Sequence, residues 1–421
     1  MILKGLTGTT GAKRMGRSAD VVIIGAGIAG LALAVALQER KISSILLDGR
    51  RRVDTTPRGL TLQPNGMEAL DKLGVLDKVR KTGSQANVFE IRSWDGELLL
   101  EADYGLLDHP HNYLLTVNSS ELDVLLRYMV EKTGAEFVRG ARFQDLVRND
   151  GRVEGVTFET DGEKDQITAS VVVGADGPQS RVRSAIGSKT EVHKYSDAFL
   201  VGLVGPVEGL EGRARQYQHP GKMLGMMPMG PATYLHHCVG PRSFEEVKQL
   251  GLGQFKAEVT EAAPEMEDAL RSVEAWARFA YFMPSRIRVQ RWVDNGVALL
   301  GDSAHTFHPH SGQGLNLSLQ DALVLAEVIE NCVKTGDFSA KALGDYQSKR
   351  ELYAEVIGHH AHYAATYALS QHWLVRWLNR RALRKLQKNQ KLLKRALGLS
   401  AGVFEKKPGL FTLARIGGIL P

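Results

Sequence analysis

The chain has 421 residues, 43% of them hydrophobic and 24% charged, with a formal net charge of +6. That length exceeds one simple core and suits two interlocked domains, and the composition is that of an ordinary globular protein rather than a disordered or low-complexity one. No run approaches the roughly 18 consecutive apolar residues of a membrane-spanning helix.

Residues 1–18 are basic and lack an apolar segment, so they read as a flexible leader and not a secretory signal, with Met15 as an alternative start. Val21–Ile24 is a short Val/Ile run of the kind that forms a buried parallel strand. It runs into Gly25-Ala26-Gly27-Ile28-Ala29-Gly30, and Ile28–Arg40 has the Ala and Leu content and the basic end of a helix. A second apolar run, Ser44–Leu47, closes at Asp48 and completes a βαβ unit.

Glycines at 25, 27 and 30 let a backbone turn tightly and approach a pyrophosphate, and the helix start adds free N–H groups and partial positive charge. Asp48, 23 residues after Gly25, is placed to accept bonds from an adenosine ribose. Dinucleotide binding follows through Gly25, Gly27, Ile28, Ala29, Gly30 and Asp48, with FAD and NAD(P) not distinguished by this motif alone.

Further along, 87–102 and 138–160 alternate apolar and polar residues as half-buried strands do. Val171–Val173 is another buried strand, ending in Gly174-Ala175-Asp176-Gly177. Residues 198–239 carry apolar strands broken by Gly and Pro, the pattern of a separate antiparallel sheet. Phe255–Arg271 reads as a helix broken at Pro264. Val297–Leu300 is a third buried strand, running into Gly301-Asp302, and a long helix follows over about 317–331.

Three of these stretches together resemble the class A flavoprotein monooxygenases, the family of para-hydroxybenzoate hydroxylase and the ubiquinone-pathway hydroxylases. Val297-Ala298-Leu299-Leu300-Gly301-Asp302-Ser303-Ala304-His305, followed by Pro309-x-x-Gly312-Gln313-Gly314-Leu315-Asn316, is similar to that family's GD motif. Gly174-Ala175-Asp176-Gly177-Pro178-Gln179-Ser180-Arg181-Val182-Arg183 is similar to its DG motif, and 62–70 to its first helix after the dinucleotide fold. The matches occur in family order over about 19–330.

The resemblance implies bound FAD, with NADH or NADPH as a transient co-substrate and O₂ as oxidant. It implies hydroxylation of an apolar, aromatic small molecule through a C4a-hydroperoxyflavin. It assigns Gly301 and Asp302 to the cofactor's ribityl chain. Gly312, Gly314, Leu315 and Asn316 would lie at the flavin ring edge, where a helix start favours the anion of reduced flavin. Pro309 would lie beside the reacting edge, Asp176 would contact cofactor or nicotinamide, and Arg58 would be an arginine near the flavin. The family often carries Arg or Gln where this chain has Ser119, so a cofactor contact is missing there, with Asn118 as a partial substitute.

The expected fold is α/β, α+β overall: a Rossmann-like FAD domain interleaved with an antiparallel β-sheet substrate domain, then a helical tail. The expected division is leader 1–18, FAD-binding parts 19–85, 116–184 and 286–370, substrate parts 86–115 and 185–285, and tail 371–421. Tyr217, Met223, Met226, Met227, Met229, Tyr234, His236 and His237 fall in the antiparallel sheet that roofs the family's substrate pocket. Flexible methionines suit an irregular apolar ligand but equally fill cores. His236 and Tyr217 are the candidates for orienting a phenolic group.

No metal site is expected: His305, His308 and His310 lie inside the flavin motif, and His359, His360 and His362 on a helix. Cys238 and Cys332 have no metal or redox spacing and fit a reducing, cytoplasmic setting.

The tail needs its own account. From Gln371 onward 12 Lys and Arg stand against the single acid Glu405, a net of +11, which leaves −5 for the rest. Trp373, Leu374, Trp377, Leu378, Leu383, Leu386, Leu393 and Leu397 fall near helical spacing between the bases. Such a segment either packs on the body with its basic face solvated, or lies on an anionic membrane surface as a peripheral contact. No motif supports nucleic-acid binding, and the protein is expected as monomer or homodimer. An epoxidase, a halogenase or a prenyl or polyene reductase on the same scaffold, and a non-catalytic flavin-binding protein, stay open; the Trp-x-Trp-x-Ile-Pro signature of halogenase relatives is absent.

Overall fold

A computed structural model describes residues 17–52, 59–132, 134–404 and 406–419. The expected leader up to residue 16 and Arg58 lie outside these residues. The first strand begins at Arg17, two residues before the domain start read from the sequence, and pairs there with Ile167.

Two large sheets organise the chain. In the first, the strands Val297–Leu299, Glu163–Gly174, Arg17–Ile24, Ser44–Asp48 and Glu136–Arg139 lie side by side in that order and run parallel. Val21, Val22 and Ile23 are fully buried, as the central strand of such a sheet requires. Its helices Ile28–Glu39, Ser119–Lys132 and Gly314–Thr335 pack against one another, the first in contact with both others. The order matters for function. The GD, DG and Gly25–Gly30 turns leave the carboxyl ends of three adjacent strands, where open α/β sheets bind ligands.

The second sheet has nine strands drawn from two separate stretches. Gly59–Leu62, Ser84–Ser93, Leu98–Asp103 and Leu114–Asn118 join Ala198–Val204, Gly212–His219, Lys222–Met229, Ala232–Gly240 and Phe279–Phe282. All pairs are antiparallel except Gly212–His219 with Ser84–Ser93, the junction between the two stretches. Strand alternation gives this sheet two apolar faces. Tyr217, Leu224, Met226 and Leu235 pack under the helix Phe244–Ala262 and its neighbours. Gln216, Gln218, Met223, Met227, Tyr234 and His236 face the opposite way, into a cavity.

The helix expected over 255–271 starts just past a kink at Gly251 (φ +84°), which joins it to a preceding helical segment that begins at Phe244 behind a capping box formed by Ser243 and Glu246. It stops at Ala262, and Pro264 opens a short 3-10 turn before the helix Glu267–Arg271. The tail forms three helices, Trp373–Lys388, Gln390–Ser400 and Leu410–Ile416. Leu383, Leu386, Leu393 and Leu397 are buried on the second sheet with Leu99, Leu100 and Tyr104. The tail therefore packs on the body, while Trp373 remains 70% and Trp377 51% exposed. No helix among the described residues is long and apolar enough to cross a membrane.

Candidate active site

The turn at Gly25 is built from backbone constraints. Gly25 has φ +106°, and a Cβ there would lie 2.3 Å from the carbonyl oxygen of Ala175. A Cβ on Gly30 would lie 2.1 Å from the Gly25 oxygen, so these two glycines let helix and turn close on each other. Gly27 differs: nothing stands within 4 Å of its Cβ position. It opens the helix Ile28–Glu39 with no side-chain cap, so the first N–H groups, from Ile28, Ala29 and Gly30, are left for a ligand. An open cradle on an uncapped helix start fits a pyrophosphate.

At the end of the second strand Asp48 is buried. Its carboxylate accepts from the backbone N–H of Arg50 at 2.9 Å and from that guanidinium at 2.9 and 3.2 Å. Arg127, buried on the helix Ser119–Lys132, donates to the Ala26 carbonyl at 2.6 Å and pairs with Asp123 at 2.5 Å. Arg127 stands outside the sequence expectation, which rests on positions 118 and 119. A lone helical arginine gives no signal until the fold brings it to the glycine turn.

Asp176 is engaged internally. Its carboxylate accepts from the Ser180 hydroxyl at 2.6 Å, the Arg181 N–H at 2.7 Å and the Ser303 hydroxyl at 3.2 Å. The DG turn is thereby tied to the GD turn through Ser303, which also accepts from the Gly177 N–H at 3.0 Å.

Asp302 is the opposite case. Its side chain opens onto the cavity yet protein surrounds it, and the poor solvation pushes its pKa above the usual carboxylate range. Its carboxylate has no hydrogen-bonding partner among the described residues. A free acceptor beside open space suits a hydroxyl-bearing ligand. Gly301, at φ +60°, sets it there and packs its turn against Ala29 and Ser318.

Pro309 begins a 3-10 turn that ends at Gly312, φ +60°, and leads to the helix Gly314–Thr335. That helix starts without a side-chain cap, and Gly314 and Leu315 line the cavity. Asn316 is fully buried and does not reach the cavity. Its amide accepts from the Gln63 N–H at 2.9 Å and donates to Thr61 and Gly312 carbonyls at 3.1 and 2.6 Å. It clamps the helix start to the strand Gly59–Leu62. Gly66 makes room for it, since a Cβ there would lie 1.8 Å from the Asn316 oxygen.

Opposite these turns the cavity, about 1060 Å³, is walled by Phe89, Ile91, Leu100, Phe199, Met223 and Met227. His236 is on this wall, its ring lying where a side chain on Gly225 would be. Burial pushes the His236 pKa down to about 4, and that of His310, one residue past Pro309, down to about 3. Both rings are neutral at ordinary pH. Tyr217 is elsewhere: strand alternation puts it on the helix-covered face, and its hydroxyl donates to Glu265 at 2.5 Å. The expectation that Tyr217 orients a substrate is corrected by that placement, and Met226 and His237 likewise turn away from the cavity. His310, Gln63 and the tail residues Leu383, Leu386, Leu393 and Leu397 line it instead. His310 could have been found from its place after Pro309. Among the described residues no three His, Cys, Asp or Glu side chains form a metal-holding group.

Comparison with known proteins gives a consistent picture. Residues 18–360 match the family model described as the FAD binding domain. The chain is 29% identical to 6-methylpretetramide 4-monooxygenase of Streptomyces rimosus over 346 residues, 80% of this chain and 81% of that one. It is 29% identical over 343 residues to a ubiquinone hydroxylase of Rhodospirillum rubrum, covering 79% and 77% of the two chains. Among solved structures, that of PqsL from Pseudomonas aeruginosa, in complex with 2-aminobenzoylacetate, superposes with a TM-score of 0.76 at 26% identity, covering 84% and 97%.

Proposed function

The chain belongs to the FAD-binding family of class A aromatic monooxygenases, and on that premise we propose that its cavity hydroxylates an aromatic compound carrying an extended apolar substituent. One observation carries the reading. The free carboxylate of Asp302, the Pro309 turn and the uncapped helix start at Gly314 share a single apolar cavity with the methionine-lined sheet.

Bound FAD, reduced by NADH or NADPH, supplies the transfer of one oxygen atom from O₂ to the substrate, the other leaving as water. The protein's residues do the rest. Gly27 and the N–H groups of the first helix hold the pyrophosphate, and Asp48, kept in place by Arg50, faces the adenosine ribose. Asp302 accepts from the ribityl chain. Backbone N–H groups at Gly314 and Leu315 favour negative charge at the ring edge. Asp176 acts through Ser303 as a positioning residue for the Asp302 turn.

On the substrate side the Phe, Leu and Met wall excludes water, which protects the oxygen-transfer step from wasteful breakdown. His236 and His310, held neutral, each offer a ring nitrogen to a phenol, amine or carbonyl on the substrate. Beyond the Asp302 and Gly314 turns the cavity lining runs from Pro309 through Leu386 and Leu397 to Leu413 and Ile416, more apolar wall than one ring touches. This is why the substituent belongs in the proposal.

The test is anaerobic bleaching of the bound flavin by NADH and by NADPH, across phenols and aromatic acids of increasing alkyl length. Bleaching accelerated most by a long-substituent compound is the expected result. A rate indifferent to every aromatic compound would remove the hydroxylase reading, and acceleration by unsubstituted phenols alone would remove the long substituent.

A further inference from the structure

We propose that the outer face of the C-terminal helices docks on an anionic lipid bilayer, with the mouth of the cavity opening beside the docked face. The helix Trp373–Lys388 buries Ala382, Leu383 and Leu386 and turns Trp373 and Trp377 outward, one turn apart on the opposite side. The helix Leu410–Ile416 adds Phe411, 67% exposed, and Ile419 just beyond it is 59% exposed. These two segments touch: a Cβ on Gly418 would lie 3.0 Å from the Ala382 nitrogen, and Lys385 donates to the Arg415 carbonyl at 3.3 Å.

Exposed tryptophans are costly in water and ordinary at a membrane interface, where the ring meets both headgroup and acyl chain. Charge complementarity names the occupant. Residues 373–388 contain no acid and six Arg or Lys. Two of the three outward aromatics carry a cation: the Arg381 guanidinium sits 5.4 Å from the Trp377 ring centre, and that of Arg415 sits 5.8 Å from Phe411. The acidic body answers part of this charge, with Glu97 pairing to Arg384 at 2.9 Å and Asp108 to Lys394 at 2.5 Å, but the tail as a whole carries a net of +11. Large apolar rings set among bases form the surface that binds anionic lipid by burial and charge together.

The cavity gives the arrangement a purpose. Tyr363, Leu413 and Ile419 are each exposed and also line the cavity that reaches Pro309. An apolar substrate can therefore pass from bilayer to cavity without crossing bulk water. A nucleic acid would satisfy the bases, yet has no use for a mouth lined with Leu and Ile. The delivery step rests on the hydroxylase reading above; the docking itself does not.

The experiment is co-sedimentation of the FAD-loaded full chain with phosphatidylcholine vesicles, with and without phosphatidylglycerol, and no substrate or nicotinamide present. Binding about tenfold stronger to the anionic vesicles is expected. In the triple variant Trp373→Ser, Trp377→Ser, Phe411→Ser that binding should fall about tenfold at the same salt, with FAD content and thermal midpoint unchanged. The pair Arg381→Gln, Lys388→Gln should erode the preference for anionic over neutral lipid.

No binding to anionic vesicles overturns the proposal. So does full binding by the triple variant, which would mean attraction by charge alone, or a dimeric mass by light scattering that becomes monomeric in the triple variant. Tighter binding to a single-stranded oligonucleotide, lost in the triple variant, would reassign the face. Because no turnover is involved, failure here leaves the flavin-bleaching result untouched, and the reverse holds as well.

Discussion

Gly27 and Gly30 stand three residues apart in one turn, and substituting each by alanine should break different things. On Gly30 the new methyl would sit 2.1 Å from the Gly25 carbonyl oxygen and 3.3 Å from an Ile23 methyl. Carbon and oxygen in ordinary contact keep roughly 3.5 Å apart, so the backbone must part by more than about 1 Å at the centre of the parallel sheet. Overpacking of that kind costs about 1–3 kcal/mol, and the cost should appear in the apoprotein. On Gly27 the methyl meets nothing within 4 Å, and the backbone, at φ −78° and ψ 177°, is one that any residue adopts. Gly27 is the helix N-cap, where alanine ranks below glycine, so apoprotein stability should fall by no more than about 1 kcal/mol. The methyl would occupy the approach to the helix start, however, and FAD affinity should drop about 10- to 100-fold, about 1.4–2.8 kcal/mol. Urea unfolding of the two apoproteins followed by circular dichroism, and FAD titration followed by flavin fluorescence, separate the effects. Gly27→Ala with undiminished FAD affinity would mean that the pyrophosphate does not lie at this turn. Gly30→Ala with an unchanged unfolding midpoint would refute the packing argument.

Three further outcomes follow from the same geometry. Burial raises the Asp302 pKa, so its ionised form opposes folding above that pKa and the penalty is relieved as pH falls through it. The apoprotein of Asp302→Asn should be more stable than the parent at neutral pH, with the gap closing on acidification, while its FAD retention is lower; a gap that widens in acid would contradict this. Tyr217→Phe should cost about 1–2 kcal/mol of stability through the Glu265 hydrogen bond and leave flavin reduction unaffected, since the side chain is not at the cavity; slowed substrate-stimulated reduction would restore it as a site residue. Leu393→Trp should fill the tail end of the cavity and raise KM about tenfold for a long-substituent substrate, sparing a single-ring one; equal effects on both would show that the substituent does not run that way.

The parts of this molecule legible in the sequence are those whose chemistry is local. A strand that stops at Gly25, Gly174 or Gly301 and turns sharply carries its own explanation in the glycine and the neighbouring acid, whatever the rest of the chain does. Gly27, Asp302, Pro309, Gly314 and His236, which the structure places at the cavity or the turns, are of this kind. Asn316 and Asp176 mark where the motif and the contact part company. Both sit inside recognisable patterns, but the structure uses Asn316 to clamp the strand Gly59–Leu62 and Asp176 to join two turns. A motif fixes where a polar residue stands along the chain; only the fold decides what it meets.

Tyr217 failed for a related reason. A period-two pattern says that Gln216 and Tyr217 face opposite ways, but both faces of this sheet are covered, one by a helix and one by the cavity, so polarity does not reveal which is which. The cavity's far wall was the least legible element. Leu383, Leu386, Leu393 and Leu397 have the spacing of a helix packed on something, and the segment lies beyond the 18–360 stretch that the family shares. Both readings of the tail used the same apolar residues as if they lay on one face. The structure divides them, with Leu383 and Leu386 inward against the sheet and Trp373 and Trp377 outward among the bases. That division lets a single segment close the cavity on one side and offer a surface on the other. It also places the far wall of the cavity outside the motifs that identify the chemistry.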